Sequence, residues 1–356
     1  MAMNKIIDRN GFVSIFNTEN GDYYRSGILD AKGNDTGIDG FVSEFPQLLD
    51  IGIMGHCKHG LSGKCAEAGV ECYQSGGTIV QDNMPVHIYE KLIKQCEGRT
   101  FQVALGGRGD PDEHEEFEKI LYTTRKYGIV PNITTSGYGI TEKKAETIKK
   151  YCGAAAVSYY KTPYMQRAIS MLSQRGVTTN LHYVLGNHNI GEAIELLNGN
   201  LKVEGIDRII FLLHKPIGMG SKERVLKREN PRVKEFFRLL SNSEIVEKTG
   251  FDSCLVPAIL DFCPEIAPES FDACESGRFS AYIDSKARLS PCSFDKDSEI
   301  LIDLNKYSIE EAWNSAELED FRKRFLYGCG SCEKRSLCMG GCPICPEINL
   351  CSGYTK

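Results

Sequence analysis

Thiols are the groups in this chain with the most chemistry to offer. There are 15 cysteines in 356 residues, and they are clustered. Cys57, Cys65 and Cys72 fall in one stretch punctuated by Gly55, Gly60, Gly63 and Gly69. Cys254, Cys263, Cys274 and Cys292 follow later, and Cys329, Cys332, Cys338, Cys342, Cys345 and Cys351 crowd the C-terminus. Cys96 and Cys152 stand alone in helical patterns and read as small buried apolar residues. Residues 1–11 are polar and charged, with no apolar core of a signal peptide, so a reducing, cytoplasmic setting is expected. Disulfides are disfavoured there, and an odd number of thiols cannot all pair. Metal ligation is the chemistry left. Three thiolates in one loop can hold three irons of a four-iron cluster and leave the fourth open to a substrate or cofactor. A structural zinc would take four ligands, with His56 or His59 completing the set.

The C-terminal run Cys329-x2-Cys332-x5-Cys338-x3-Cys342 is denser still. A zinc ribbon could pair Cys329–Cys332 with Cys342–Cys345, but it would leave Cys338, Cys351, Cys274 and Cys292 surplus. Two four-iron clusters need about eight thiolates. Cys274, Cys292, Cys329, Cys332, Cys338, Cys342 and Cys351 supply seven, and Cys263 or Cys254 the eighth; the set taken here uses Cys263. Cys345 stands as an alternative to Cys351, as a free thiol or as a substrate contact.

These residues need a frame. Apolar runs at Leu48–Met54, Phe101–Leu105, Ile129–Thr134, Ala154–Ser158, Thr179–Leu185 and Arg208–Leu213 read as strands. Between and after them, Val86–Cys96, Glu113–Lys126, Thr141–Tyr151, Tyr164–Gln174, Ile190–Leu197 and Pro231–Leu240 read as amphipathic helices. The alternation predicts βα units and a parallel sheet. Six units are too few to close an eight-stranded barrel. The expected class is α/β: an open, partial (β/α)6 barrel of the TIM type, followed by a cysteine-rich iron–sulfur domain. Residues 1–47 read as an extension with turns and a hairpin, 48–250 as the barrel and 251–356 as the cysteine-rich domain, with one helical stretch at Ser308–Phe325 and little apolar core of its own. In such barrels the loops after the C-terminal strand ends carry the chemistry. That places the first cysteine loop, Gly106-Gly107, Thr134–Gly137, Ser158, His182, His214 and Lys215 at one rim. The formal net charge of -6, without a basic block, does not indicate a nucleic-acid partner, and no apolar run approaches the ~18 residues of a membrane span.

On these residues the chain resembles radical S-adenosylmethionine (SAM) enzymes with a C-terminal SPASM domain, over about residues 48–351. The spacing Cys329 to Cys342 matches the SPASM pattern, and so does Cys274 through Ala281-Tyr282-Ile283-Asp284 to Pro291-Cys292. Three departures stand out. The family's usual cluster motif is Cys-x3-Cys-x2-Cys, whereas Cys57-x7-Cys65-x6-Cys72 is expanded, although Tyr73 keeps the usual following aromatic. Arg108-Gly109-Asp110-Pro111 stands where the family has Glu-Pro, and Ala287 where it usually has glycine. The resemblance implies a SAM-binding [4Fe–4S] cluster on Cys57, Cys65 and Cys72, two auxiliary [4Fe–4S] clusters on the later cysteines, and SAM contacts at Gly106, Gly107, Ser136 and Ser158. His182 is placed with these as a cofactor-binding residue. It also implies reductive cleavage of SAM to a 5′-deoxyadenosyl radical that abstracts hydrogen from the substrate. Members of this subfamily often modify ribosomally made peptides, so a peptide substrate is expected, with flavodoxin or ferredoxin as reductant. The alternatives are a protein side chain, as in sulfatase maturation, a small molecule, a non-catalytic iron–sulfur electron carrier and a zinc-stabilised binding protein.

Overall fold

The structure is a computed structural model that describes residues 3–295, 300–327, 329–330 and 332–352. Three short strands, β1 (Met3–Ile7), β2 (Val13–Asn17) and β3 (Tyr23–Arg25), form a separate antiparallel sheet. The turn between β2 and β3 uses Gly21 at φ 81°, where a side chain would be strained. Arg25 ties this sheet to the C-terminal half through ion pairs with Asp272 and Glu275.

The central sheet carries β4 (Leu48–Met54), β5 (Gln102–Gly107), β6 (Val130–Thr135), β7 (Ala154–Ser158), β8 (Thr178–Leu185) and β9 (Arg208–Leu213), parallel and in chain order. The expected helices lie between and after them: α3 (Val86–Gln95), α4 (Phe117–Lys126), α5 (Glu142–Tyr151), α6 (Pro163–Ser173), α7 (Ile190–Leu197) and α8 (Pro231–Leu239), while α1 (Lys58–Leu61) and α2 (Lys64–Glu67) lie inside the cysteine loop. The ends of the helices follow from local chemistry. Thr141, Thr162 and Asn230 each accept a backbone N–H at the start of α5, α6 and α8, and Pro163 and Pro231 open the latter two. Gly128 and Gly176 follow α4 and α6 at φ 75° and 66°.

The sheet is open, as the strand count requires, but it is wider than six strands. β10 (Thr249–Phe251) adds parallel to β9. After α9 (Ser243–Val246) and α10 (Val256–Phe262), β11 (Ser280–Ile283) adds parallel to β4, followed by antiparallel β12 (Arg288–Ser290) and β13 (Ile302–Asp303). These strands span two to four residues, too short to show a period of two. Ala287, in the β11–β12 turn, sits at φ 58°, which accounts for the family's preference for glycine there. The expected helix over Ser308–Phe325 is two, α11 (Ile309–Trp313) and α12 (Ala316–Tyr327), broken at Asn314–Ser315. The C-terminal part shares the core of the barrel, in one cluster with Leu49, Ile51 and Val103. Trp313, Leu318, Phe321 and Phe325 are buried, and Trp313 Nε1 donates to Ser43 O at 2.8 Å.

β8 shows how the frame makes a site. Its Leu181, Tyr183 and Leu185 are buried, whereas Asn180 and His182 between them are not fully covered. In a sheet covered on both faces the run would be continuously apolar. The alternation leaves Asn180, His182 and Val184 on the face that is less fully covered.

Candidate metal and cofactor site

The expanded loop folds back on itself between β4 and α3. Cys57 caps α1, with its Sγ accepting from Gly60 N at 3.1 Å. Cys72 Sγ accepts from Gly76 N at 3.4 Å, and Cys65 Sγ lies 2.7 Å from His59 Nδ1. The far side of that ring meets Tyr164 Oη at 2.6 Å and stacks on Tyr160. Glycines allow the approach. A Cβ on Gly76 would press on Cys57 and the Arg108 carbonyl, and one on Gly109 would collide with the His56 carbonyl. Arg108 Nε donates to Gln74 O at 3.0 Å, and its Nη1 reaches Gly55 O and Gln81 Oε1 at 3.4 and 3.3 Å. Glu71, next to Cys72, accepts from Ser221 N and Oγ and pairs with Arg224, which pins the loop to the chain beyond β9. His56 turns away towards Gln81 O, 3.3 Å from its Nδ1.

The Cys57 and Cys65 thiols feel their neighbours. Burial, then backbone bonds and the charges of Asp110 and Cys72, leave Cys57 pushed up to about 11. Burial, then Cys57 and Cys72, push Cys65 up to about 12. Desolvated thiols that repel one another as thiolates need a cation to ionise, and this donor set fits an iron cluster.

Gly106, the last residue but one of β5, has open space where a Cβ would be. Gly107 has φ 100° and packs against Gly52. Asp110 accepts from Ser136 N and Oγ at 2.8 and 2.5 Å. Burial, then the charge of Asp112, raises the Asp110 carboxyl above the usual range. Ser158 pairs in register with His182. Gly106, Gly107, Ser136, Ser158 and His182 thus share the strand-end region of the sheet, beside the cysteine loop.

Burial pulls the His182 pKa from its usual 6.5 down to about 4, so the ring is neutral at pH 7. The unfolded chain takes up this proton below about pH 6.5, whereas the folded chain resists until about pH 4. Stability conferred by the neutral ring is therefore complete above that window and is lost as pH falls through it. The interval corresponds to at most about 3 kcal/mol. His182→Gln is expected to remove about that much of the acid-induced loss between pH 7 and pH 4, measured by denaturant unfolding of both proteins.

The later cysteines sort into two groups. Cys274 is pushed up to about 12 by burial, then by Cys254 and Cys292, and Cys342 feels Cys274 in turn. Cys338 is raised by burial, then by Cys351, Cys329 and Cys332. Cys263 stands apart from both. Its Sγ donates to Phe237 O at 3.4 Å among apolar side chains. Cys345 is buried beside Cys342, with its N–H on Cys342 Sγ at 3.3 Å. Cys96 lies in the core. Among the described residues, no three His, Cys, Asp or Glu side chains stand at the spacing of a single bound ion. Sequence reasoning missed the Asp110–Ser136 pair and the Arg108 clamp, and it left Cys254 as the alternative to Cys263. The unusual Arg-Gly-Asp-Pro run was the available signal for the first two.

Comparison with known proteins follows this geometry. The profile of the SPASM family, an iron–sulfur cluster-binding domain, matches residues 274–343. No curated protein matches the chain by sequence. SuiB of Streptococcus suis bound to S-adenosylmethionine superposes with a TM-score of 0.72 at 14% identity, over 99% of this chain and 98% of SuiB. SuiB bound to precursor peptide SuiA gives 0.70 at 14%, over 98% of both chains. Native anSMEcpe with bound AdoMet and Cp18Cys peptide gives 0.63 at 16%, over 86% of this chain and 91% of that one. The resemblance carried by the cysteine spacing is thus met in sequence profile and in fold. Residues 274–343 thus match the SPASM iron–sulfur domain family, and the chain as a whole has the fold of SuiB and anSMEcpe.

Proposed function

We propose that this protein is a radical SAM enzyme that modifies a peptide. The observation that carries the reading is the convergence of the Cys57, Cys65 and Cys72 thiols beside the open face of Gly106 and the buried Asp110–Ser136 pair. When bound, a [4Fe–4S] cluster with an open iron supplies the electron that splits SAM into methionine and the hydrogen-abstracting 5′-deoxyadenosyl radical. The chain's own residues do the rest. Cys57, Cys65 and Cys72 hold the metal, and Arg108 and Glu71 keep their long loop closed against its entropy. Gly106 and Gly107 let the cofactor approach the backbone, and Asp110 holds Ser136 in place to receive it. Ser158 and neutral His182 offer hydrogen bonds without adding charge, and the rings of Tyr160 and Tyr164 exclude water.

Cys254, Cys274, Cys292 and Cys342 form the ligand set of one auxiliary cluster, and Cys329, Cys332, Cys338 and Cys351 that of a second. Cys254 takes the place first given to Cys263. The peptide substrate is supported by the fold shared over nearly the whole chain with SuiB bound to its precursor peptide. A flavodoxin or ferredoxin in a reducing cytoplasm would supply electrons. The test is anaerobic incubation of the reconstituted protein with SAM, dithionite and small peptides encoded beside its gene. A peptide that loses hydrogen in step with 5′-deoxyadenosine formation supports the reading. SAM cleavage with every such peptide unchanged contradicts the peptide assignment.

A further inference from the structure

Lys215 lies just past the end of β9 with its side chain 2% exposed, an expensive place for a charge. Its Nζ donates to Leu213 O and to Asp252 Oδ2, both at 3.0 Å, and stands 4.2 Å from the centroid of the Phe294 ring. These partners flank metal-binding cysteines. Asp252 precedes Cys254 by two residues, and Phe294 follows Cys292 by two, with its N–H on the Cys292 sulfur. Phe294 also stacks on Tyr73 at 4.3 Å between centroids, and Tyr73 follows Cys72. The ammonium is therefore wedged between two flanks of one four-cysteine group, on the side facing the first cysteine loop. Burial would strip its proton, but the ion pair with Asp252 at 3.0 Å offsets burial and keeps it charged.

We propose that Lys215 is a positioning residue for electrons: a fixed cation that raises the reduction potential of the cluster held by Cys254, Cys274, Cys292 and Cys342. The proposal rests on the ligand reading above. A four-thiolate cluster gains negative charge when it accepts an electron, and a nearby cation in a low-dielectric interior favours that state. Such a cluster would accept the electron left on an oxidised substrate more readily. An ion pair that only anchored the Asp252 segment to β9 would leave the potential where it is.

The test is a dithionite titration of the anaerobically reconstituted protein, followed by electron paramagnetic resonance (EPR). Lys215→Met is expected to lower the midpoint of one component, so that its reduced-to-oxidised ratio at the wild-type midpoint falls about tenfold, or about 59 mV for a one-electron couple. The other components stay put, and Lys215→Arg restores the shifted one. Should Lys215→Met fail to fold, Lys215→Met with Asp252→Asn leaves no buried charge unpaired and lowers the same midpoint by less. An iron-loaded variant with all midpoints unchanged overturns the proposal and spares the ligand reading. A Cys254→Ala, Cys274→Ala variant that keeps the full iron content of the wild type overturns both.

Discussion

With Cys57, Cys65 and Cys72 all changed to Ala, formation of 5′-deoxyadenosine falls by at least about a thousandfold, while about two-thirds of the wild-type iron remains. The effect is large because the two histidines of the loop already have other partners. His59 is committed to Cys65 and Tyr164, and His56 turns to Gln81 O. It is also selective. The loop lies between β4 and α3, whereas the later cysteines are held by α10, β11, β12 and the C-terminal turns. Parallel iron analysis and product chromatography read the two quantities. Loss of nearly all iron would mean that the loop is part of the fold's stability rather than a separate site.

Cys254→Ala and Cys263→Ala separate two residues that look equivalent on paper. Cys254→Ala is expected to remove about one third of the iron, because its sulfur sits with Cys342 and Cys274. Cys263→Ala is expected to leave the iron intact and cost about 1 kcal/mol, the worth of its bond to Phe237 O and a small void. Iron content and denaturant midpoints of the two variants check this. Full iron in Cys254→Ala would return the ligand role to Cys263.

That pair also shows where the sequence stops being informative. Both cysteines precede the SPASM spacing, and only the structure reveals α10 between them, holding them about 10 Å apart along its axis. One end of that helix reaches the cluster residues and the other faces the Phe237 carbonyl. The six strands from Leu48 to Leu213 were legible because each is five to eight residues long and separated by a capped helix. The strands of two to four residues at the edges were not, because they exist only by pairing with a sheet already formed. At the rim, Gly106 and Ser136 could be read from a motif, but Arg108 and Asp110 could not. Their roles depend on a loop whose expansion breaks the usual spacing, and Arg108 is what fastens it.

The central claim is that the metal held by Cys57, Cys65 and Cys72 keeps an iron free for SAM. The direct measurement is the EPR spectrum of the dithionite-reduced wild type before and after SAM is added under anaerobic conditions. One component should change shape on addition, and the Cys57→Ala, Cys65→Ala, Cys72→Ala protein should lack it. An iron-loaded wild type whose spectrum is the same with and without SAM would contradict the account.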